Sequence, residues 1–83
     1  VLNIFPNPFK DNLLVSFNLF NQSYVNISIV NVFGETLHTF TSEKLSQGTY
    51  SYNWQPFSIS EGIYFLKIIT NEKQSIYKIM YLK

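Results

Sequence analysis

Leu13-Leu14-Val15-Ser16-Phe17-Asn18-Leu19 is the stretch from which the rest of the chain is read. Leu13, Val15, Phe17 and Leu19 alternate with Leu14, Ser16 and Asn18. Successive side chains of a strand point to opposite faces, so period two over this length predicts a β-strand with one buried face. The same signal recurs on either side of a break at Phe33-Gly34-Glu35. Val25, Ile27 and Ile29 alternate with Asn26 and Ser28, and residues 37–41 return as the second arm of a hairpin. Residues 42–47 read as a polar loop. After Gly48, Thr49-Tyr50-Ser51-Tyr52-Asn53-Trp54 alternates again and stops at Gln55-Pro56, because proline cannot donate to a ladder. Gly62 opens the most apolar strand, residues 63–69. Asn71-Glu72-Lys73 reads as a hairpin loop and residues 75–82 as the last strand. With a short segment at residues 1–5, this makes seven strands and no helix. The expectation is an all-β, seven-stranded, immunoglobulin-like β-sandwich, with a barrel as the alternative.

Composition agrees. Alanine and arginine are absent, while β-branched and aromatic residues are dense. An 83-residue chain is one small domain with a thin core, and without cysteine it has no disulfide to support it. A net charge of +1 and dispersed lysines give no field for a nucleic-acid backbone or an anionic membrane. No apolar run is long enough for a transmembrane segment. Because the chain starts at Val1, without an initiator methionine or a signal peptide, it reads as a piece of a longer protein.

Phe5-Pro6-Asn7-Pro8-Phe9 is the least sheet-compatible segment. Pro6 and Pro8 lack amide hydrogens and push the residues before them out of the helical region. The segment should be extended yet unable to pair regularly: a stiff turn that caps a sheet edge against further pairing. Residues 1–5 would pair first as an edge strand, and the rings of Phe5 and Phe9 would be buried at either end of the kink.

Catalytic chemistry needs two or three convergent polar groups. His38 is the only histidine, on an expected strand with no acidic neighbour in sequence. Asp11, Glu35, Glu43, Glu61 and Glu72 all fall in expected turns or loops, where charge is simply solvated. No spacing suggests calcium, zinc or a phosphate loop, so no metal, cofactor or catalytic residue is assigned. Sequons at Asn21 and Asn26 carry little weight, the second lying within an expected strand. Tyr50, Tyr52 and Trp54 share one strand face. They are either half of a sandwich core or a stacking platform for a ligand, and their exposure decides between the two.

In order along the chain, the Pro6-Asn7-Pro8 segment is followed by the alternating strand from Leu13 and by Val25 to Ile29 running into Asn31-Val32-Phe33-Gly34. Gly48-x-Tyr50, Gly62-Ile63-Tyr64-Phe65-Leu66 and Tyr77-Lys78-Ile79-Met80 come next. Together these resemble the type A C-terminal sorting domain of the type IX secretion system of Bacteroidetes, over nearly the whole chain. The resemblance implies a seven-stranded sandwich that ends close to its last strand, and a non-enzymatic role as the C-terminal address label of a secreted cargo. It also implies partners: a type IX translocon, an outer-membrane shuttle protein and a sortase-like surface protease that removes the domain. The cargo would pass from the periplasm to the cell surface, anchored to lipopolysaccharide, or be released.

Carried over by position, the family's motifs fall on Pro6, Asn7, Pro8, Gly34, Gly48, Gly62, Tyr64 and the closing residues. The glycines are expected at turn positions where a Cβ would clash, and Tyr64 is expected as a core ring with its hydroxyl satisfied at the sandwich edge. Recognition is expected at Lys78, Ile79, Met80, Tyr81, Leu82 and Lys83, on an exposed edge that could take a partner strand or a second copy. Two other readings share the fold. One is a carbohydrate- or protein-binding sandwich appended to an extracellular enzyme. The other is a spacer similar to the immunoglobulin-like domain of flagellar hook-cap proteins.

Overall fold

The alternating segments form seven strands in the computed structural model, which describes residues 2–83. They are β1 (Leu2–Phe5), β2 (Leu13–Leu19), β3 (Ser23–Val30), β4 (Thr36–Leu45), β5 (Gly48–Trp54), β6 (Gly62–Thr70) and β7 (Gln74–Tyr81). One sheet has the order β1-β2-β5 and the other β4-β3-β6-β7. Every pairing between these strands is antiparallel. The two sheets make a β-sandwich, as expected.

The buried face of each alternating strand meets the other sheet. Leu13 and Val15 of β2 and Trp54 of β5 join Val25, Ile27 and Ile29 of β3, Tyr64 and Leu66 of β6, and Ile79 of β7 in one core. Burying each large aliphatic side chain stabilises the fold by about 1.5–3 kcal/mol. In a chain this short, nearly all of them are needed.

β4 is longer than its sequence suggests. Residues 42–45 were expected in a loop, yet they pair from Asn26↔Ser42 to Ser23↔Leu45. The register shift between Ile27 and Ser28 leaves Phe40 unpaired as a bulge. With that extra residue His38, Phe40 and Thr41 all face inward, so the strict alternation breaks just where the strand continues. Glu43 is therefore a strand residue, not a loop carboxylate. The polar composition of this half suits the outer strand of a sheet, where charge discourages further pairing.

Phe5 departs from expectation as well. Leu2 and Ile4 take the inward parity of β1, so the Phe5 ring points outward and is 51% exposed. Phe9, by contrast, is fully buried. The Phe5-Pro6 and Asn7-Pro8 peptides are both cis. Through this segment the chain passes from β1, at the edge of the first sheet, to the β7 edge of the second, and it returns to the first sheet at β2.

Candidate functional site

β7 is an outer strand, and it meets the proline-bounded segment. β6 takes one set of its backbone groups, and the alternate set points away from the sheet. The Asn7 side chain answers two of these outward groups. Its Oδ1 accepts the Met80 N–H at 3.0 Å, and its Nδ2 donates to the Lys78 carbonyl at 3.2 Å. The backbone of Phe9 answers two more: its N–H donates to the Met80 carbonyl and its carbonyl accepts the Leu82 N–H, both at 2.9 Å. Residues 7–9 thus act as a short surrogate strand, with a side-chain amide replacing one peptide unit. Pro6 and Pro8 bracket it with positions that cannot donate. This gives the segment the capping role read from its sequence, and the capped edge belongs to the sheet opposite β1.

Phe9 locks the strap down. Its ring lies 5.1 Å from Tyr81 and 5.9 Å from Trp54, so it joins the strap to β7 and β5 at once. The expected open edge is therefore only part of β7. Over residues 78–82 the outward groups are largely occupied by the chain itself. By the same alternation, the outward groups of Gln74 and Ile76 and the Lys78 N–H have no partner among the described residues. Within the closing stretch Ile79 is core, Met80 and Leu82 are exposed, and the Lys83 N–H donates to Glu61 Oε1 at 3.1 Å.

The glycine and tyrosine motifs are two copies of one local device. The Tyr64 hydroxyl donates to the Ser60 carbonyl at 2.6 Å, and the Tyr50 hydroxyl donates to the Ser46 carbonyl at 2.6 Å. Each is a tyrosine corner that closes the turn into a strand. Gly48 and Gly62 lie two residues before these tyrosines, with φ of 157° and 148°. The clash expected for a Cβ is not found: nothing lies within 4 Å at Gly62, and only the Tyr50 ring, at 3.8 Å or more, at Gly48. The positive φ is what selects glycine there. The matched stretches Ser46-Gln47-Gly48-Thr49-Tyr50 and Ser60-Glu61-Gly62-Ile63-Tyr64 carried this signal in the sequence.

Gly34 belongs to a turn that Asn31 organises, a residue named in the motif order but given no role from sequence. Asn31 Oδ1 accepts the Phe33 and Glu35 N–H groups, each at 2.9 Å, and the Gly34 N–H donates to the Asn31 carbonyl. Structure thus unites Pro6, Asn7 and Pro8 with residues 78–82, and puts Gly62 and Tyr64 at the same end of the sandwich. Gly48 lies at the other end, opposite Leu19.

The aromatic face is core. Trp54 is 8% exposed, and Tyr52 packs against the buried cluster. Tyr50 stacks on Phe17 at 5.5 Å. Neither face of Trp54 is open to a flat ligand. His38 stacks on Trp54 at 5.8 Å and meets Phe40 edge-on at 4.7 Å, a packing role. Among the described residues, no three His, Cys, Asp or Glu side chains cluster so as to hold a metal.

A search of curated proteins returns no match to the chain. The family model for the secretion system C-terminal sorting domain matches residues 3–82. That span takes in the strap, both tyrosine corners and β7. The chain therefore belongs to the secretion system C-terminal sorting domain family: it is a non-catalytic sorting signal for type IX secretion, engaging the secretion machinery for export across the outer membrane to the surface or outside.

Proposed function

We propose that the machinery reads this domain at its β7 side, and that residues 78–83 contribute together with the strap that holds them. The whole of residues 1–83 acts as one folded label on a longer secreted cargo. A type IX translocon and an outer-membrane shuttle protein receive it from the periplasm. A sortase-like surface protease then removes it by a cut upstream of or near Val1, and the cargo is anchored at the surface or released. The observation that carries this reading is the unpaired stretch of β7 from Gln74 to the Lys78 N–H. It offers ladder groups to an extended partner segment, while the strap limits how far such a segment can run. Two copies of the domain would pair at the same stretch.

The test separates the backbone from the side chain. Ile76→Pro removes the outward N–H and leaves the β6 ladder intact, whereas Ile76→Val keeps that N–H. Each variant is fused behind a periplasm-directed fluorescent protein in a Bacteroidetes host, and surface fluorescence is read. Loss of export with proline alone, in a domain that still folds, supports strand addition. Equal export of both places recognition elsewhere.

A further inference from the structure

The two outward faces of the sandwich differ sharply. On the three-stranded sheet, Ser16 lies opposite Ser51, Asn18 opposite Thr49 and Leu14 opposite Asn53. That is an ordinary solvated face, with Thr49 hydrogen-bonded to Asn18 at 2.9 Å. On the four-stranded sheet, Val30 lies opposite Phe65, and Ile63 lies opposite Met80. Ile63, Ile76 and Met80 are exposed. One outward face of an antiparallel sheet should be polar when water covers it. The β3–β4 half, with Asn26 opposite Ser42 and Ser28 opposite Thr39, obeys this, whereas the β6–β7 half carries Ile63, Phe65, Ile69, Ile76 and Met80.

Its charge is also one-sided. Lys78 lies opposite Phe65, Lys67 lies between Ser28 and Ile76, and Lys44 lies opposite Tyr24. Among the described residues no carboxylate takes an outward position on this sheet. Asp11, Glu35, Glu61 and Glu72 are outside the strands, and Glu43 sits opposite Val25 with the inward parity. Along their own strands Lys67 stands between the outward Phe65 and Ile69, and Lys78 between the outward Ile76 and Met80, so each lysine interrupts an apolar row.

We propose that this face is a docking surface for an acidic protein component of the export machinery, one that presents carboxylates among apolar side chains. The proposal rests on the sorting function and names the chemistry of one partner in it. A second copy fits poorly, because face-to-face pairing sets lysine against lysine with no carboxylate to answer it. A lipid surface fits less well than a protein, because the charges interrupt the apolar patch instead of bordering it.

The test uses the fluorescent cargo fusion in hosts with and without the translocon. Lys67→Glu/Lys78→Glu reverses the charge, Lys67→Arg/Lys78→Arg keeps it, and Ser16→Glu adds a carboxylate to the opposite face. The melting temperature of each purified domain is measured alongside. If the glutamates unfold the domain, Lys67→Gln/Lys78→Gln poses the same question. The expected result is a surface signal reduced about tenfold or more by charge removal or reversal, with the arginine variant and Ser16→Glu exported normally. Normal export of the folded glutamate or glutamine variant overturns the proposal. If the unaltered fusion is not exported in the competent host, the sorting function fails first and the proposal falls with it. Lysine-dependent co-sedimentation of the purified domain with phosphatidylglycerol–phosphatidylcholine vesicles would assign the face to lipid. Lysine-dependent dimerisation in sedimentation equilibrium would assign it to a second copy. Either result also overturns the proposal.

Discussion

Asn7 is the residue whose sequence context and structural task fit together most tightly. A strand edge needs donors and acceptors in alternation, and the asparagine side chain carries one of each. Replacing it with aspartate removes the donor to Lys78 and sets a carboxylate against a carbonyl. Asn7→Asp should destabilise the domain by about 1–2 kcal/mol, and Asn7→Ala by about 0.5–1.5 kcal/mol. Amide exchange checks the mechanism, because the Met80 N–H should lose protection in Asn7→Ala, which removes its acceptor, and keep more of it in Asn7→Asp, which retains one. Equal protection in Asn7→Ala would mean that the side chain does not hold the edge. At Gly62 the φ of 148° is unfavourable for an L residue, so Gly62→Ala should cost about 1–2 kcal/mol even though space exists for the methyl group. Tyr64→Phe should cost about 0.5–1.5 kcal/mol through the lost bond to Ser60. Denaturant melts would measure both. The prolines showed from sequence that residues 6–8 leave the ladder. They did not show what Asn7 binds, because its partners lie 71 and 73 residues away. The asparagine at position 31 was opaque for a different reason, since an Asx turn depends on local backbone geometry that many sequences share.

Among the elements, the strands with strict alternation were legible and the irregular one was not. β2 and β6 were located closely because one face of each lies against the core. β4 was read as ending near Thr41 because its remaining residues are polar and a bulge resets the phase at Phe40. What makes residues 42–45 a strand is the unpaired side of β3, which no local pattern reveals. Hydrogen exchange tests the assignment. The amides of β4 that face β3 should be protected through Leu45, whereas a loop from residue 42 would exchange freely. The strap is the other element whose importance exceeds its length. Phe9→Ala removes a fully buried ring that touches both Trp54 and Tyr81. The expected loss is about 3–5 kcal/mol, a large share of the stability of a domain this size. Phe5→Ala, on an exposed ring, should cost far less. A similar loss for both would contradict the division of labour between the two phenylalanines.

At the scale of the molecule, burial decides between functions that share a fold. A ligand-binding sandwich would expose its aromatic strand, and here Tyr52 and Trp54 are spent on the core. What remains on the surface is one capped edge, a short open stretch of β7 and an apolar, lysine-bearing face. These features suit a partner much larger than a small ligand. The sandwich and its sorting function were legible because the order of motifs spans the whole chain. The lysine-bearing face was not, because its residues come from different strands and meet only through the register. The measurement that tests the central claim most directly is export of a fluorescent cargo carrying residues 1–83, compared between a type IX-competent Bacteroidetes host and one lacking the translocon. The account predicts surface or medium fluorescence in the first host and periplasmic retention in the second. Retention in both, with the domain folded, would contradict it.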